Sequence, residues 1–205
     1  MKMKFFSALT LVVTLLTSCG ESVTSSEGAP AASDSTAAVY NVDVATSKVN
    51  WKGEVAGVYG HNGYVNFKSG SIQVGDSGLV GGEFKVDMTN IVPLDSASYN
   101  AEHKITDLQG HLSKGDFFLT DSFPTSKFVI TKVEGKTVKG NLTVKGKTNE
   151  ETLQLESFEN KDGVVTASGK LVFNRQKYGV SWVHYMKDMI LSDDIQLNIS
   201  LTAKK

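Results

Sequence analysis

The stretch Ile195-Gln196-Leu197-Asn198-Ile199-Ser200-Leu201-Thr202 alternates apolar and polar side chains without a break. A period of two is typical of a β-strand that has one face in apolar surroundings and the other in water. The pattern recurs, completely or in part, in earlier segments of the chain, so we predict eight or nine strands. These segments are residues 49–55, 65–67, 84–88, 128–130, 142–144, 153–155 and 165–173.

Short sequences rich in glycine, aspartate, serine and lysine separate the alternating segments, and such residues favour tight turns. Several short strands at this spacing indicate an antiparallel sandwich or barrel. A barrel removes the sheet edges at which chains aggregate. At eight strands its interior is either filled by side chains or wide enough for one small ligand. The predicted turns are at residues 68–70, 75–78, 134–136, 145–147 and 161–163.

One long segment, residues 90–125, lacks the alternation. Within it, Ile105, Leu108 and Leu112 lie at positions i, i+3 and i+7, which places them on one face of a helix. We therefore predict a short helix near residues 101–113. In a closed sheet such a segment caps one end or lies across a mouth, and long loops of this kind are often functional.

The composition excludes several classes of protein. The 205 residues carry a formal net charge of −1, whereas a nucleic-acid-binding domain is usually clearly basic. The single cysteine, Cys19, excludes an intramolecular disulfide and a zinc site with several cysteines. We therefore expect neither nucleic acid nor a structural metal as a partner.

The N-terminal segment is predicted to be a targeting signal. Lys2 and Lys4 precede an apolar run at residues 5–16, which is too short to span a membrane but fits a signal peptide. The run ends at Cys19, as in a bacterial lipobox, where the cysteine is acylated and becomes the new N-terminus. The alternative is an ordinary cleavage site followed by a stray thiol. With two or more acyl chains, anchoring in the membrane is stable.

Removing residues 1–18 deletes two lysines and no acids, which leaves a net charge of −3. Residues 19–39 are predicted to be the acylated cysteine and a flexible linker, because residues 20–39 have no aromatic residue and no apolar period. Residues 40–205 form one predicted domain. Gly20 stands where an aspartate would mark inner-membrane retention in some bacteria. We therefore expect a lipid-anchored protein of the bacterial cell envelope, at the outer membrane and facing the periplasm.

The sequence contains no recognisable catalytic or metal site. The four histidines, at positions 61, 103, 111 and 184, show no compact metal-ligand spacing. There is no Gly-x-Ser-x-Gly motif for a serine hydrolase. The Gly-Lys-Thr at 146–148 is one residue too far from Gly140 for a phosphate-binding loop and lies between strands. We predict no catalytic residues, no metal site and no enzymatic activity.

Four motifs in order resemble the YceI-like family of bacterial periplasmic proteins, and the resemblance spans almost the whole domain. Each motif has a structural reading as well, because its glycines also supply turns and close packing. The motifs are Ser47-x-Val49-x-Trp51-x-Gly53 with Gly60-His61-x-Gly63; His111-Leu112-x-Lys114-x-Asp116-Phe117-Phe118 followed by Phe123-Pro124; Gly140-x-Leu142-Thr143-x-x-Gly146-x-Thr148; and Phe173-Asn174-Arg175 with Tyr178-Gly179-Val180.

The resemblance implies an all-β, antiparallel, lipocalin-like barrel that binds a polyisoprenoid or isoprenoid quinone in its lumen, for transport or storage and without catalysis. The only cofactor it implies is such a bound lipid. The polar head would stay near the mouth, at His61, Asn62, Arg175 or Tyr178. Arg175 either meets a phosphate or quinone oxygen or braces the last hairpin through an ion pair. The apolar tail would contact some of Trp51, Phe67, Phe84, Val86, Phe117, Phe118, Phe128, Leu142, Leu155, Leu171 and Phe173.

Two alternatives remain open at this stage. In the first, the barrel is filled by its own side chains and serves as a protein-interaction or envelope-stress module; alternation alone does not separate core residues from lumen residues. A lipid hydrolase would need a nucleophile, a base and an oxyanion site, which the sequence does not assemble. A homodimer is compatible with the sequence.

Overall fold

The computed structural model describes residues 28–31, 36–55, 59–95, 104–183 and 190–205. It contains strands, one α-helix and a short 3-10 helix at Arg175–Tyr178. The strands are β1 (Ala38–Val42), β2 (Lys48–Val55), β3 (Tyr59–Gly75), β4 (Gly78–Asp87), β5 (Val92–Pro93), β6 (Thr125–Glu134), β7 (Thr137–Val144), β8 (Lys147–Lys161), β9 (Val164–Asn174) and β10 (Asp194–Lys204), and the helix is α1 (Ile105–Leu112).

Eight strands close into an antiparallel barrel in the order β2, β3, β4, β6, β7, β8, β9 and β10. Strand β10 closes the ring, because it pairs with β9 along its whole length and with β2 on its other side. This confirms the predicted all-β antiparallel barrel with a short helix in a long loop. Each strand of the ring corresponds to an alternating segment of the sequence.

Two further strands lie outside the ring, and the sequence prediction does not include them. Strand β1 pairs with β10 near Lys204 and with β3 from Ser71 to Val74. It therefore covers the end of the barrel where β10 finishes, and we call this the closed end. The two-residue strand β5 pairs with β3 at Gly63 and Tyr64. It lies at the other end of the barrel, which we call the mouth end.

Four of the five predicted turns are confirmed as connections between strands, and the fifth is wrong. Residues 68–70 lie inside β3, where the register to β4 shifts between Phe67 and Ser69. The shift marks a β-bulge, in which one extra residue bends the strand without ending it. Lys68-Ser69-Gly70 therefore resembles a turn in sequence because a bulge, like a turn, departs from regular strand geometry.

Helix α1 covers Ile105–Leu112, within the predicted range, of which residues 101–103 lie outside the described part of the chain. The carboxylate of Asp107 accepts a hydrogen bond from the backbone N–H of Lys104, which caps the first turn at 3.1 Å. Leu112 is buried. The helix lies at the mouth end because the next residues lead into β6 there.

The closed end is solidly packed. Tyr40 and Val42 of β1 lie in the buried core together with Val74, Val165 and Ala203, and Val165 and Ala203 have no exposed surface. The Tyr40 hydroxyl accepts a hydrogen bond from Asn160 at 3.1 Å. Strand β1 thus fills this end with its own side chains.

Part of the predicted linker lies against the outer wall of the barrel. The backbone N–H of Gly28 donates to the Asn141 side chain at 3.0 Å, and the Asn141 amide donates back to the Gly28 carbonyl. The N–H of Ala31 donates to the carbonyl of Ile130 at 3.1 Å. In the parts of the chain that the structure describes, no helix has the length and hydropathy that crossing a bilayer requires.

Candidate functional site

The barrel encloses a cavity of about 420 Å³, whose wall is almost entirely apolar. Binding pockets for small molecules usually measure ~300–1,000 Å³, and this volume falls within that range. Every strand of the ring contributes side chains to the wall. Near the closed end the wall includes Ile72 and Leu79, and near the mouth it includes His61, His111 and Trp182.

Most of the residues predicted from the sequence lie in this wall. All eleven residues predicted for the apolar tail line the cavity, and so do His61 and Arg175, which were predicted for the mouth. The eleven are Trp51, Phe67, Phe84, Val86, Phe117, Phe118, Phe128, Leu142, Leu155, Leu171 and Phe173.

Two of the residues predicted for the mouth lie elsewhere. Asn62 follows His61 in β3, and successive side chains of a strand point to opposite faces, so Asn62 is exposed outside the barrel. Tyr178 has no exposed surface and donates a hydrogen bond to Glu151 at 3.0 Å. Its burial and the neighbouring carboxylate raise the pKa of Tyr178 far above its usual value, so it stays a neutral core residue.

Sequence reasoning missed the wall residues that come from connecting segments. Ile91 follows β4, Leu108 lies on α1, and Trp182 and Leu191 flank the connection to β10; all four line the cavity. Alternation cannot find them because they lie outside strands. The helical stripe at Leu108 and Leu112 is the one signal that pointed towards them.

Two glycines make room for aromatic rings against the wall. A Cβ atom on Gly63 would lie 2.6 Å from the ring of Trp51, and one on Gly140 would lie 2.4 Å from the ring of Phe128. Both distances are far below contact distance, so each ring occupies space that a side chain on the neighbouring strand would need. This arrangement keeps two large side chains along the wall and leaves the axis of the barrel open.

Aromatic side chains form a cluster at the mouth. The rings of Phe117 and Trp182 stack with their centroids 5.6 Å apart, and His111 meets both edge-on, at 4.8 Å from Phe117 and 5.2 Å from Trp182. The Nε2 atom of His111 lies 3.5 Å from a carboxylate oxygen of Asp116. The cluster joins α1 to the segment that precedes β10.

A second histidine, His61 of β3, also lines the cavity. Nδ1 of His61 is 2.6 Å from Oδ2 of Asp95, whose side chain is only 9% exposed. The edge of Tyr59 contacts the His61 ring, with centroids 5.3 Å apart. The Asp95 carboxylate thus fixes the orientation of a polar ring in the cavity wall.

Arg175 is buried, and its guanidinium has an acceptor for each of its N–H groups. It donates to the carbonyls of Val180 at 2.8 Å, Trp182 at 3.0 Å, Ser192 at 3.0 Å and Leu191 at 3.4 Å. The fifth contact is the Asp193 carboxylate at 3.0 Å. Burial lowers the pKa of Arg175 and the Asp193 carboxylate opposes this shift. Of the two roles considered for Arg175, the contacts support bracing of the chain before β10.

Lys145 ties a second pair of loops together. Its ammonium donates to the carbonyl of Gly115 and, at 2.7 Å, to that of Gly179. The backbone N–H groups of Ser181 and Trp182 donate to the carbonyl of Asp116 at 3.1 and 3.2 Å. The aromatic cluster is therefore held by hydrogen bonds between its two supporting loops.

Among the described residues no three histidine, cysteine, aspartate or glutamate side chains come together in a way that could hold a metal ion. His103, His184 and the predicted acylation site Cys19 lie outside the described residues. The arrangement at the mouth can position a polar group of a ligand, while the rest of the cavity offers apolar contact.

The chain is similar to known proteins over the barrel domain. A family profile described as the YceI-like domain matches residues 40–203. A UPF0312 protein of Staphylococcus aureus strain USA300 is 34% identical over 116 residues, which are 51% of this chain and 64% of that protein. A UPF0312 protein of strain MRSA252 is 34% identical over 112 residues. The chain thus spans less than two thirds of the length of these relatives.

Two solved structures share the fold. The crystal structure of BcnA from Burkholderia cenocepacia has a TM-score of 0.61 and 21% identity, over 80% of this chain and 99% of that one. A polyisoprenoid binding domain from Saccharophagus degradans, implicated in plant cell wall breakdown, has a TM-score of 0.53 and 12% identity, over 80% of this chain and 97% of that one. At these identities the likeness is one of fold.

Proposed function

Because the chain belongs to the YceI-like family, we propose that its barrel binds a long apolar amphiphile, a polyisoprenoid or an isoprenoid quinone, for transport or storage in the cell envelope. One observation carries the proposal: an apolar cavity of about 420 Å³ runs through the barrel from the mouth towards the closed end. The name of the Saccharophagus degradans domain supports the same class of ligand.

The physical basis of binding is the burial of hydrocarbon. Removing apolar surface from water contributes about 25 cal/mol per Å², or about 0.8 kcal/mol for each methylene group. One five-carbon isoprene unit would gain up to roughly 4 kcal/mol before the costs of ordering the ligand. A few units therefore give useful affinity without a specific hydrogen bond, and the ligand is selected by shape and length.

The family is a binding and carrier fold, and the proposal includes no catalytic step. His61 contacts Asp95 and lies in the cavity wall, which supports the proposal that its ring would meet the polar head of the ligand. Arg175 does not meet the ligand in this proposal, because its donors are engaged by the protein.

The same proposal includes the envelope location expected from the sequence. Acyl chains on Cys19 would hold the protein at the outer membrane, where an apolar ligand is available. The nine Cα–Cα steps from Cys19 to Gly28 span at most ~30 Å. Since Gly28 is hydrogen-bonded to the barrel wall, the anchor would keep the barrel within that distance of the bilayer.

Native mass spectrometry of the protein after gentle extraction from its own membranes tests the proposal. We expect an added mass of an isoprenoid lipid on the folded protein. We also expect added isoprenoid quinone to raise the melting temperature of ligand-free protein, because a ligand that binds only the folded state stabilises it. A protein that carries no lipid and gains no thermal stability would contradict the proposal.

A pair of substitutions distinguishes a hollow barrel from a filled one. Phe84→Trp adds volume at the cavity wall, and Val165→Trp adds volume at a fully buried position outside the wall. We expect Phe84→Trp to abolish lipid uptake with little loss of stability, and Val165→Trp to lower the free energy of unfolding by about 1–3 kcal/mol or more, as overpacking does. Equal destabilisation by both would indicate a filled barrel that acts as an interaction module.

A further inference from the structure

Apolar side chains are exposed together around the mouth. Among the described residues seven large hydrophobic side chains are exposed, and four of them lie at the mouth end: Tyr59 at 38%, Leu94 at 54%, Ile190 at 68% and Val183 at 76%. We call these four residues the apolar rim. The other three are separate from one another, on β1, in the turn that follows it and on the outside of β9.

Strand pairing and backbone hydrogen bonds connect the segments that carry the apolar rim. Leu191 forms a β-bridge with Val55, and Val55 pairs with Tyr59, so Ile190 and Tyr59 lie beside the same strand end. The N–H of Leu94 donates to the carbonyl of Asn62 at 2.8 Å, three residues from Tyr59 along β3.

Arg175 places the fourth member of the rim. Its guanidinium donates to the carbonyls of both Trp182 and Leu191. The residues next to these two, Val183 and Ile190, therefore lie near each other at the mouth end. A single buried cation thus brings the two most exposed apolar side chains of the rim together.

The apolar rim is continuous with the cavity. Tyr59 itself lines the cavity, and so do Trp182 and Leu191, the neighbours of Val183 and Ile190. A lipid that leaves the cavity at this end passes directly over the rim. Contiguous apolar surface at the edge of a cavity marks a site of contact with a membrane or a partner.

Two ion pairs near the rim and the net charge of the chain argue against an electrostatic partner. Lys52 pairs with Glu54, and Arg175 pairs with Asp193 at 3.0 Å. The predicted mature chain has a net charge of −3, so anionic lipid would not attract it. Attachment at this surface would depend on insertion of apolar side chains and not on charge.

We propose that the apolar rim docks onto a lipid bilayer, so that the mouth of the barrel opens on the membrane from which the ligand comes. This inference rests on the proposed function. The predicted anchor agrees with it, because Gly28 is bound to Asn141, three residues from the mouth end of β7, or ~10 Å along the strand. The ~30 Å reach of the chain from Cys19 allows the rim to meet the same bilayer.

Site-specific labelling of the full mature protein, purified from membranes and reconstituted in vesicles, tests the docking. Single substitutions Val183→Cys and Leu94→Cys would carry an environment-sensitive nitrobenzoxadiazole label, and Val44→Cys at the closed end is the matched control. The unsubstituted protein serves as the background control, because it reports any labelling of Cys19. Vesicles of phosphatidylcholine alone and with phosphatidylglycerol separate apolar insertion from attraction by charge.

We expect the labels at positions 183 and 94 to shift to shorter wavelength and to be quenched by a lipid-borne quencher in both kinds of vesicle, while the label at position 44 stays in water. Labels at 183 and 94 that stay in water, as they would if the rim bound a protein partner, would overturn the inference. So would quenching only at position 44, or quenching that requires phosphatidylglycerol.

A second variant separates docking from ligand binding. The triple substitution Leu94→Ser, Val183→Ser and Ile190→Ser changes exposed positions only, so the fold is expected to persist. We expect loss of isoprenoid quinone transfer between vesicles, while uptake of the same quinone from detergent is retained. Unchanged transfer would contradict the docking and leave the cavity proposal standing, whereas absence of uptake by the unsubstituted protein would contradict the cavity proposal itself.

Discussion

The two ends of the barrel differ in how their backbone is connected and filled. At the closed end tight turns join the strands, and β1 adds Tyr40 and Val42 to a core in which Val165 and Ala203 are completely buried. At the mouth end long connections carry the helix, an aromatic cluster and the apolar rim, and His61 lies in the wall of an open cavity.

This difference shows a division of roles: dense packing at the closed end stabilises the fold, which allows a void at the mouth end. The closed end gains close contacts among apolar side chains, which stabilise the fold. The mouth end is held by two cations, Arg175 and Lys145, that donate to loop carbonyls. Polar ties of this kind position loops without filling the space between them, so the cavity stays open.

The largest expected effect compares truncation at the two ends. Tyr40→Ala should lower the free energy of unfolding by about 4 kcal/mol, since it opens a void in a packed core. Phe84→Ala should cost about half as much, because one side of Phe84 already borders the cavity. Denaturation in urea measures both, with Tyr40→Phe as the control that removes only the hydrogen bond with Asn160, worth about 1 kcal/mol. Equal costs for the two alanine variants would mean that both ends are equally packed.

Removing the guanidinium at the mouth should have the next largest effect. Arg175→Met leaves four loop carbonyls and the Asp193 carboxylate without their donor, which should cost about 3 kcal/mol of unfolding free energy. Arg175→Lys keeps the charge with fewer donors and should recover only part of the loss. If urea denaturation shows less than about 0.5 kcal/mol for Arg175→Met, the guanidinium does not hold the mouth.

Lys145 should have a smaller effect. Lys145→Met removes the ties to Gly115 and Gly179 and should cost about 1–2 kcal/mol, as loss of charged hydrogen bonds at a partly exposed site does. Lys136→Met, in a turn at the closed end, is the matched control and should change stability by less than about 0.5 kcal/mol. The variant should also release bound ligand faster in a stopped-flow measurement. An unchanged release rate would show that the loops stay in place without Lys145.

The smallest effect is a pH dependence at the closed end. The ammonium of Lys204, 2.7 Å away, and the backbone N–H of Ala45 lower the pKa of Asp43 below its usual value of 3.8. A carboxyl with a lowered pKa stabilises the fold above that value, and the contribution is lost as the pH falls below it. Asp43→Asn should therefore show a shallower loss of stability than the unsubstituted protein between about pH 5 and about pH 3. Parallel curves in urea titrations would contradict this.

The sequence predicts the ring of the barrel well and its ends poorly. The alternation at Ile195–Thr202 identifies β10 and its inward face, because period-two burial is a local property of a strand. Strand β1 alternates as well, with Tyr40 and Val42 buried and Asn41 exposed, but its five residues adjoin the predicted linker and the prediction does not include it. Strand β5 is two residues long and too short to show a period. The bulge at Ser69 contains the residues of a turn and was for that reason predicted as one.

The candidate site also has a part that the sequence predicts and a part that it does not. Strand residues such as Phe84 and Leu171 could be assigned to the interior from alternation and family resemblance. The roles of the polar residues depend on long-range contacts that spacing does not contain. Arg175 is surrounded by carbonyls from two chain segments, and Tyr178 is buried against Glu151 of β8. The alternation of β3 also excludes Asn62 from the wall once His61 is placed in it.

A crystal structure of the protein purified with its natural lipids tests the central claim most directly. We predict continuous, elongated electron density along the barrel axis, in contact with Phe84 and Leu171 and ending near His61. Side chains that meet across the axis and leave no space for such density would contradict the account.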